Sequence, residues 1–326
     1  MKNRPSARNQ NGATPWILRA VALLWAVSPL MADLEVATLH PFIGEIAREV
    51  GGDHVVVYEL IGPEDNPHEF DPDPRTFALA AEVDLVMASG KGIEDSYLQK
   101  LEDNFGEDKI FSVGDCVYSL EIQENGRFNS SAGPNGEHGH EEHDHSHGND
   151  EEAIDPHWWH DPDNMRRAGF AVAKEMARID PANAASYQSN AIAYAKEMRQ
   201  LKMWVREELE QIPPSERVLA TSHLAYSYFC NAFGFEAIAI QGYNREDTAS
   251  PQELAELIVF LQNENVEVLF PESGSNPKAL ETVAQETGLR IGQPLNPDGN
   301  GLSPSSGYAD MMRSNVSAIV EGLTQE

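Results

Sequence analysis

Five of the chain's 11 histidines, His138, His140, His143, His145 and His147, crowd into the acidic run EHGHEEHDHSHGNDEE. Neutral imidazole is the commonest side-chain ligand for zinc and similar transition metals, so this density points to metal handling. A tight site, however, needs three or four ligands fixed in space. A polar stretch with Gly139, Gly148 and almost no apolar residues buries too little surface to hold one shape. The run is therefore expected to gather ions weakly, as an accessory, while a selective site is built from histidines on firmer elements.

His40, His54, His68, His157, His160 and His223 remain. His68 lies in GPEDNPHEFDPDP, where Pro67 and Pro72 stiffen the chain after a strand candidate. His157 lies in DPHWWHDPDN, held by prolines and by Trp158 and Trp159, which are expected to pack. His223 ends RVLATSH, at the carboxyl end of a strand, where ligand sites of open α/β sheets collect. A lone histidine at any of these places is more often a hydrogen-bonding turn or strand-end residue. The three together supply the nitrogens that, with a carboxylate or water, complete four-coordinate zinc.

These residues must be positioned by strands and helices that alternate twice over, the pattern of parallel sheets built from βα units. The first half holds strand candidates 34–38, 54–60, 85–88 and 109–113, with helices over 41–50, 74–81 and 94–104. The second half repeats the rhythm with strands 217–221, 236–240, 266–270 and 289–292 and helices near 225–233, 251–264, 277–287 and 308–323. Ser250, Pro251 and Glu253 form a capping box with proline at the first helical position. Asp180 is a good cap and Pro181 a good first residue for a rod that runs to Gln211, about 46 Å at 1.5 Å per residue. Pro213–Pro214 ends it. The stretch 121–154 has neither strand nor helix signal, and its length marks it as functional, disordered or both.

At 326 residues the chain is expected to form two units. We read 1–32 as a signal peptide, 33–165 as an N-terminal lobe, 166–212 as a linking helical region and 213–326 as a C-terminal lobe. The signal reading rests on Lys2, Arg4, Arg8 and Arg19, then apolar Ala20–Met31, then Ala32. The apolar stretch is shorter than the roughly 20 residues of a typical membrane span. Leu30 suits cleavage poorly, which leaves an uncleaved anchor as the alternative. No cysteine follows the stretch, so lipid attachment is not expected, and a periplasmic protein without membrane insertion after processing is. The net charge of −30 argues against nucleic acid and anionic membranes as partners. Cys116 and Cys230 are expected to be free, buried thiols.

The motifs NPHEFDP, DPHWWHDP, TSHLAYSYF and GYADMMRSNV, in that order, resemble those of the periplasmic substrate-binding proteins of zinc and manganese ABC transporters. The resemblance runs from VATLHPFIGEIAREVGGD to the C-terminus. It implies two α/β lobes, each a parallel sheet flanked by helices, joined by a long rigid helix, with the metal in the cleft between them and a membrane permease as recipient. It also implies that His68, His157 and His223 are ligands, with Asp298 as the fourth. The surrounding LNPDGNGL departs from the commoner family pattern, which leaves Glu69 or water as substitutes. Glu272 is assigned behind the ligands or at a hinge. His160 is assigned a turn cap or a solvent-facing position, and His40 and His54 the framework, with His40 lining the cleft.

Manganese-type members carry a carboxylate where this chain has His223. Three nitrogens and one oxygen, with the His-rich run, put the chain in the zinc branch. The expected function is capture of Zn2+ and its delivery to an ABC permease by a monomer that performs no chemistry on the ion. The alternatives are a manganese- or iron-binding member of the same family, a zinc-dependent hydrolase or a zinc-buffering adhesin. The hydrolase lacks support because the chain has no H-E-x-x-H helix motif.

Overall fold

Three helices start at a proline preceded by a side chain that accepts a hydrogen bond from the first turn. His40 precedes α1 (Pro41–Gly51), Asp73 precedes α2 (Pro74–Glu82) and Asp161 precedes α4 (Pro162–Ile179). Proline loses nothing there, because the first amide of a helix has no intrahelical partner, and the preceding side chain serves the next ones. The computed structural model in which these features are seen describes residues 33–62, 65–121, 154–240, 258–261, 266–302 and 306–325.

The first lobe contains β1 (Leu34–Thr38), β2 (Val55–Glu59), β3 (Leu85–Ala88) and β4 (Ile110–Ser112), with α1, α2 and α3 (Asp95–Phe105) between them. All pairings are parallel, in the order β2-β1-β3-β4. Every residue of β3 is buried, as expected of a strand covered on both faces. The second lobe repeats the plan with β5 (Val218–Thr221), β6 (Glu236–Ala239), β7 (Val268–Phe270) and β8 (Arg290–Ile291), again parallel, in the order β6-β5-β7-β8. Its helices include α6 (Ser227–Phe233), α7 (Lys278–Thr287) and α8 (Tyr308–Thr324). The expected strands are all present, β1 and β3 with the expected bounds and the other six shortened at their ends. Residues 258–261 are helical, but Ser250, Pro251 and Glu253 lie outside the described residues, as do residues 1–32 and His138, His140, His143, His145 and His147. No helix among the described residues is long and apolar enough to cross a membrane.

Between the sheets run α4 and α5 (Ala184–Leu209). The linking helical region thus begins at Pro162, four residues earlier than expected, and its long member is shorter than the expected rod. Asp180 does not cap α5. Its carboxylate accepts from Asn183 Nδ2 at 2.7 Å and from Tyr187 Oη at 2.6 Å, which closes a turn between the two helices and leaves Pro181 inside that turn. At 26 residues, α5 is about 39 Å long. It packs on α1 and α4 in the first lobe and on α8 in the second. The resulting core is continuous: Val36, Phe42, Trp159, Tyr194, Phe270 and Met312 belong to one buried cluster.

Arg217 fastens the end of this rod to the second sheet. Its guanidinium donates to three carbonyls, Leu209 at 2.8 Å, Phe233 at 3.0 Å and Ile212 at 3.1 Å. These come from the last residue of α5, the chain just after it and the last residue of α6, so one planar fork ties together carbonyls at two helix ends. Arg217→Met keeps most of the apolar stem and removes all three donors. It should lower the urea midpoint by the equivalent of about 2–4 kcal/mol, with an unchanged m-value.

Candidate metal centre

Each expected ligand leaves its lobe at the carboxyl end of a strand or from the segment that follows α3 and β4. His68 lies in the loop after β2, its backbone N–H donating to Asn66 Oδ1 at 3.1 Å. His223 lies two residues past β5. His157 opens a short 3-10 turn, Trp158–His160, that leads into α4. Trp158 and Trp159 are fully buried, as their expected packing requires. Trp158 Nε1 donates to the Ser89 carbonyl at 3.1 Å, which fastens the turn to the end of β3.

The three histidines converge. One ring nitrogen from each of His68, His157 and His223 lies within 4.8 Å of the other two. The Nε2 atoms of His68 and His157 are 3.2 Å apart. Nitrogens bound at about 2.0–2.1 Å around one tetrahedral zinc are separated by about 3.3 Å, so this spacing fits a shared ion. Asp298 joins the group with Oδ1 3.9 Å from His68 Nε2. His157, His223 and Asp298 are fully buried and the His68 side chain is 10% exposed, so among these four His68 is the one that meets solvent.

Carboxylates behind the rings decide which nitrogen faces the cleft. Asp155 Oδ1 accepts from both the backbone N–H and Nδ1 of His157, each at 2.8 Å. Glu272 accepts from the backbone N–H of His223 at 3.1 Å and pairs its other oxygen with Nδ1 of the same ring. A carboxylate accepts only, so both Nδ1 atoms carry the proton and both Nε2 lone pairs point inward. His223 Nε2 is buried with no hydrogen-bond partner among the described residues, as a lone pair available to an ion would be. Glu272 therefore sits behind His223, a candidate ligand. Asp155 was missed in the sequence, although an Asp two residues before a candidate ligand in DPH was a usable signal. Glu69 is exposed and its carboxylate takes the Asn66 side chain at 2.8 Å, so it is not brought into the cluster.

The loop that carries Asp298 is held from both lobes. The Pro297 carbonyl accepts from Trp159 Nε1 at 2.7 Å and from His160 Nε2 at 2.9 Å. The Asn315 side chain on α8 brackets Asn296, accepting from its N–H at 2.8 Å and donating to its carbonyl at 2.7 Å. Gly299 adopts φ 79°, and a Cβ there would stand 2.6 Å from the Phe42 ring, so neither backbone nor space admits another residue easily. The expectation for His160 is overturned: it neither caps a turn nor faces solvent, because this interlobe hydrogen bond buries it completely. His40 is also buried and lines the cluster, its Nδ1 accepting from Phe42 N–H and its ring 4.3 Å from that of Trp159. His54 stays in the framework, in a 3-10 turn before β2. Both cysteines are free, but Cys116 is exposed, not buried as expected, since it ends a surface 3-10 turn; Cys230 is buried.

Burial pushes His40 down to about 4, against a partial upward pull from Asp298. Burial, helped by the neighbouring His157, pushes His160 down to about 3. Both rings are thus built into the fold as neutral groups.

The model of the family described as zinc-uptake complex component A, periplasmic, matches residues 36–322. The chain is 25% identical over 294 residues to the manganese-binding lipoprotein MntA of Halalkalibacterium halodurans, covering 90% of this chain and 89% of that one. It is 28% identical over 295 residues to the iron-binding protein YfeA of Yersinia pestis, covering 89% and 86% respectively. Among solved structures, the periplasmic zinc-binding protein TroA from Treponema pallidum superposes with a TM-score of 0.74 at 22% identity, covering 90% of this chain and 100% of that chain. An Mn-bound periplasmic metal-binding protein from Candidatus Liberibacter asiaticus does so with a TM-score of 0.75, also at 22% identity, covering 89% and 100%. These likenesses establish the two-lobed fold.

The neutral His160 has a consequence for stability. Below about 6.5 its imidazole takes a proton in the unfolded chain but not in the folded one, down to about 3. Its contribution to stability is therefore complete above pH 6.5 and shrinks as the pH falls. His160→Gln keeps a donor for Pro297 and does not titrate. In metal-free protein it should match the parent at pH 7.5 and lose less stability than the parent between pH 6.5 and 4, as read from urea midpoints across that range.

Proposed function

The chain belongs to the family of periplasmic component A proteins of zinc-uptake complexes, and on that premise we propose that it captures zinc and delivers it to the permease of an ABC transporter. Metal-binding ABC-transporter substrate-binding proteins are what its relatives are, and this chain is one of them. The observation that carries the zinc reading is the donor set: three inward-facing imidazole nitrogens within 4.8 Å, with one carboxylate beside them. Three nitrogens and one oxygen satisfy tetrahedral zinc, whereas manganese prefers more oxygen donors.

On this reading His68, His157, His223 and Asp298 hold the ion. Asp155 and Glu272 hold the Nδ1 side of two of the imidazoles, which leaves Nε2 as the donor atom, raises its basicity and fixes its direction. The ion is cargo and undergoes no reaction. Release follows when engagement with the permease moves one lobe against the other, because ligands from both lobes must keep their distances for the site to stay tight. The protein acts outside the cytoplasmic membrane, as a monomer, after export directed by residues 1–32. His138, His140, His143, His145 and His147 raise the local ion concentration as an accessory. The names of MntA and YfeA favour a second reading, in which the cargo is manganese or iron.

A competition titration of the metal-stripped protein with zinc and manganese separates these readings. One zinc should bind tightly per chain, with manganese far weaker; the reverse preference would discard zinc. His68→Ala, His157→Ala and His223→Ala should each weaken zinc binding by more than about 100-fold, beyond the loss seen when only a ligand's hydrogen-bonding partner is removed. Deleting 122–153 should leave one tight site, and loss of that site on deletion would transfer the function to the His-rich run.

A further inference from the structure

Asp155 orients His157, but its own side chain has little else to hold it. Oδ1 is committed to His157, and Oδ2 is buried with no hydrogen-bond partner among the described residues. Its position is therefore set by its main chain. Asp155 N–H donates to the Leu120 carbonyl at 2.9 Å, and next to this contact Glu121 and Ile154 form an antiparallel bridge. Residues 122–153, which include the His-rich run, depart from and return to this bridge.

The remaining tie comes from the other lobe. Tyr228 on α6, five residues after His223, is buried at 1% exposure, and its hydroxyl lies between the two bridged segments. It donates to the Asp155 carbonyl at 3.1 Å and accepts from the Leu120 N–H at 2.9 Å. A single hydroxyl of the second lobe thus holds both strands of the first-lobe neck. The segment His223–Tyr228 carries one candidate ligand at its start and, at its end, the group that sets the main chain behind another.

From this geometry we infer that Tyr228 is a positioning residue for the metal centre: its hydroxyl fixes Asp155, and through it His157, relative to the lobe that carries His223. The inference rests on the reading of His157 as a ligand. It makes the phenol a link by which displacement of the second lobe reaches a first-lobe ligand without touching the ion. Loss of the hydroxyl leaves the Asp155 carbonyl and the Leu120 N–H without that partner while the ring still fills its place in the core, so Phe at 228 removes the link and keeps the packing.

The test is the rate at which a chelator removes cobalt(II) from the full chain, followed by the d–d spectrum of the ion. Compared are the parent, Tyr228→Phe, Asp155→Asn, the double variant and His157→Ala. Tyr228→Phe should release cobalt about tenfold faster, at the lower end of what loss of a hydrogen-bonding partner behind a ligand costs, with an altered d–d band and a metal-free melting temperature lowered by only a few degrees. The double variant should release no faster than Asp155→Asn alone, because the hydroxyl acts through Asp155. Parent-like release by Tyr228→Phe, or rate effects that multiply in the double variant, would overturn the inference. If the Phe chain does not fold, 3-fluorotyrosine at 228 carries the test: a shifted release rate supports the link and an unchanged rate refutes it. Tight cobalt binding retained by His157→Ala would instead remove the ligand reading beneath it.

Discussion

The Pro297 carbonyl takes two buried ring N–H donors from the first lobe, Trp159 at 2.7 Å and His160 at 2.9 Å, one residue before Asp298. A metal centre shared between lobes exists only if groups on separate sheets hold their spacing to within a few tenths of an ångström. This shared acceptor sets that spacing. It joins the tripeptide that follows His157 to the loop that carries the carboxylate, so two candidate donors from opposite lobes are tied through one carbonyl. The continuous core around α5 supports the same constraint over a longer distance, and Asn315 holds the loop from behind.

Within that frame the ligands are specified by what lies behind them. Neutral imidazole offers its lone pair from either nitrogen, and an unsupported ring in the cleft would divide its time between orientations. Asp155 and Glu272 remove the choice for His157 and His223. The cost is a pair of buried carboxylates, one with an oxygen that has no hydrogen-bond partner among the described residues.

The two lobes repeat one plan, and the repeat shows why some histidines are candidate ligands and others support the framework. His40 stands two residues past β1, as His223 stands two residues past β5. His40 turns its Nδ1 to the amide of Phe42 and caps α1, whereas the Nδ1 of His223 is taken by a carboxylate from the chain after β7. The same residue type at the same place in a βα unit is therefore framework in one lobe and candidate ligand in the other, and the difference lies in its tertiary partner.

The sequence by itself determined the parallel α/β class, the eight strands to within a residue or two at their ends, the helix starts at Pro41 and Pro74, and the three histidines that converge. Those properties are written in short windows, as apolar runs, caps and motifs, where local sterics and hydrogen bonding decide. Only the tertiary structure decided that Asp155 and Glu272 orient the rings, that Glu69 turns to solvent, that His160 is an interlobe clasp and not a surface residue, and that Asp180 closes a turn instead of capping α5. Each of those outcomes depends on a partner that is distant along the chain, or on competition among several near ones. The partners are Pro297 for His160, Glu272 for His223, and Asn183 with Tyr187 for Asp180. No spacing rule encodes them, because the distance that matters is measured through space.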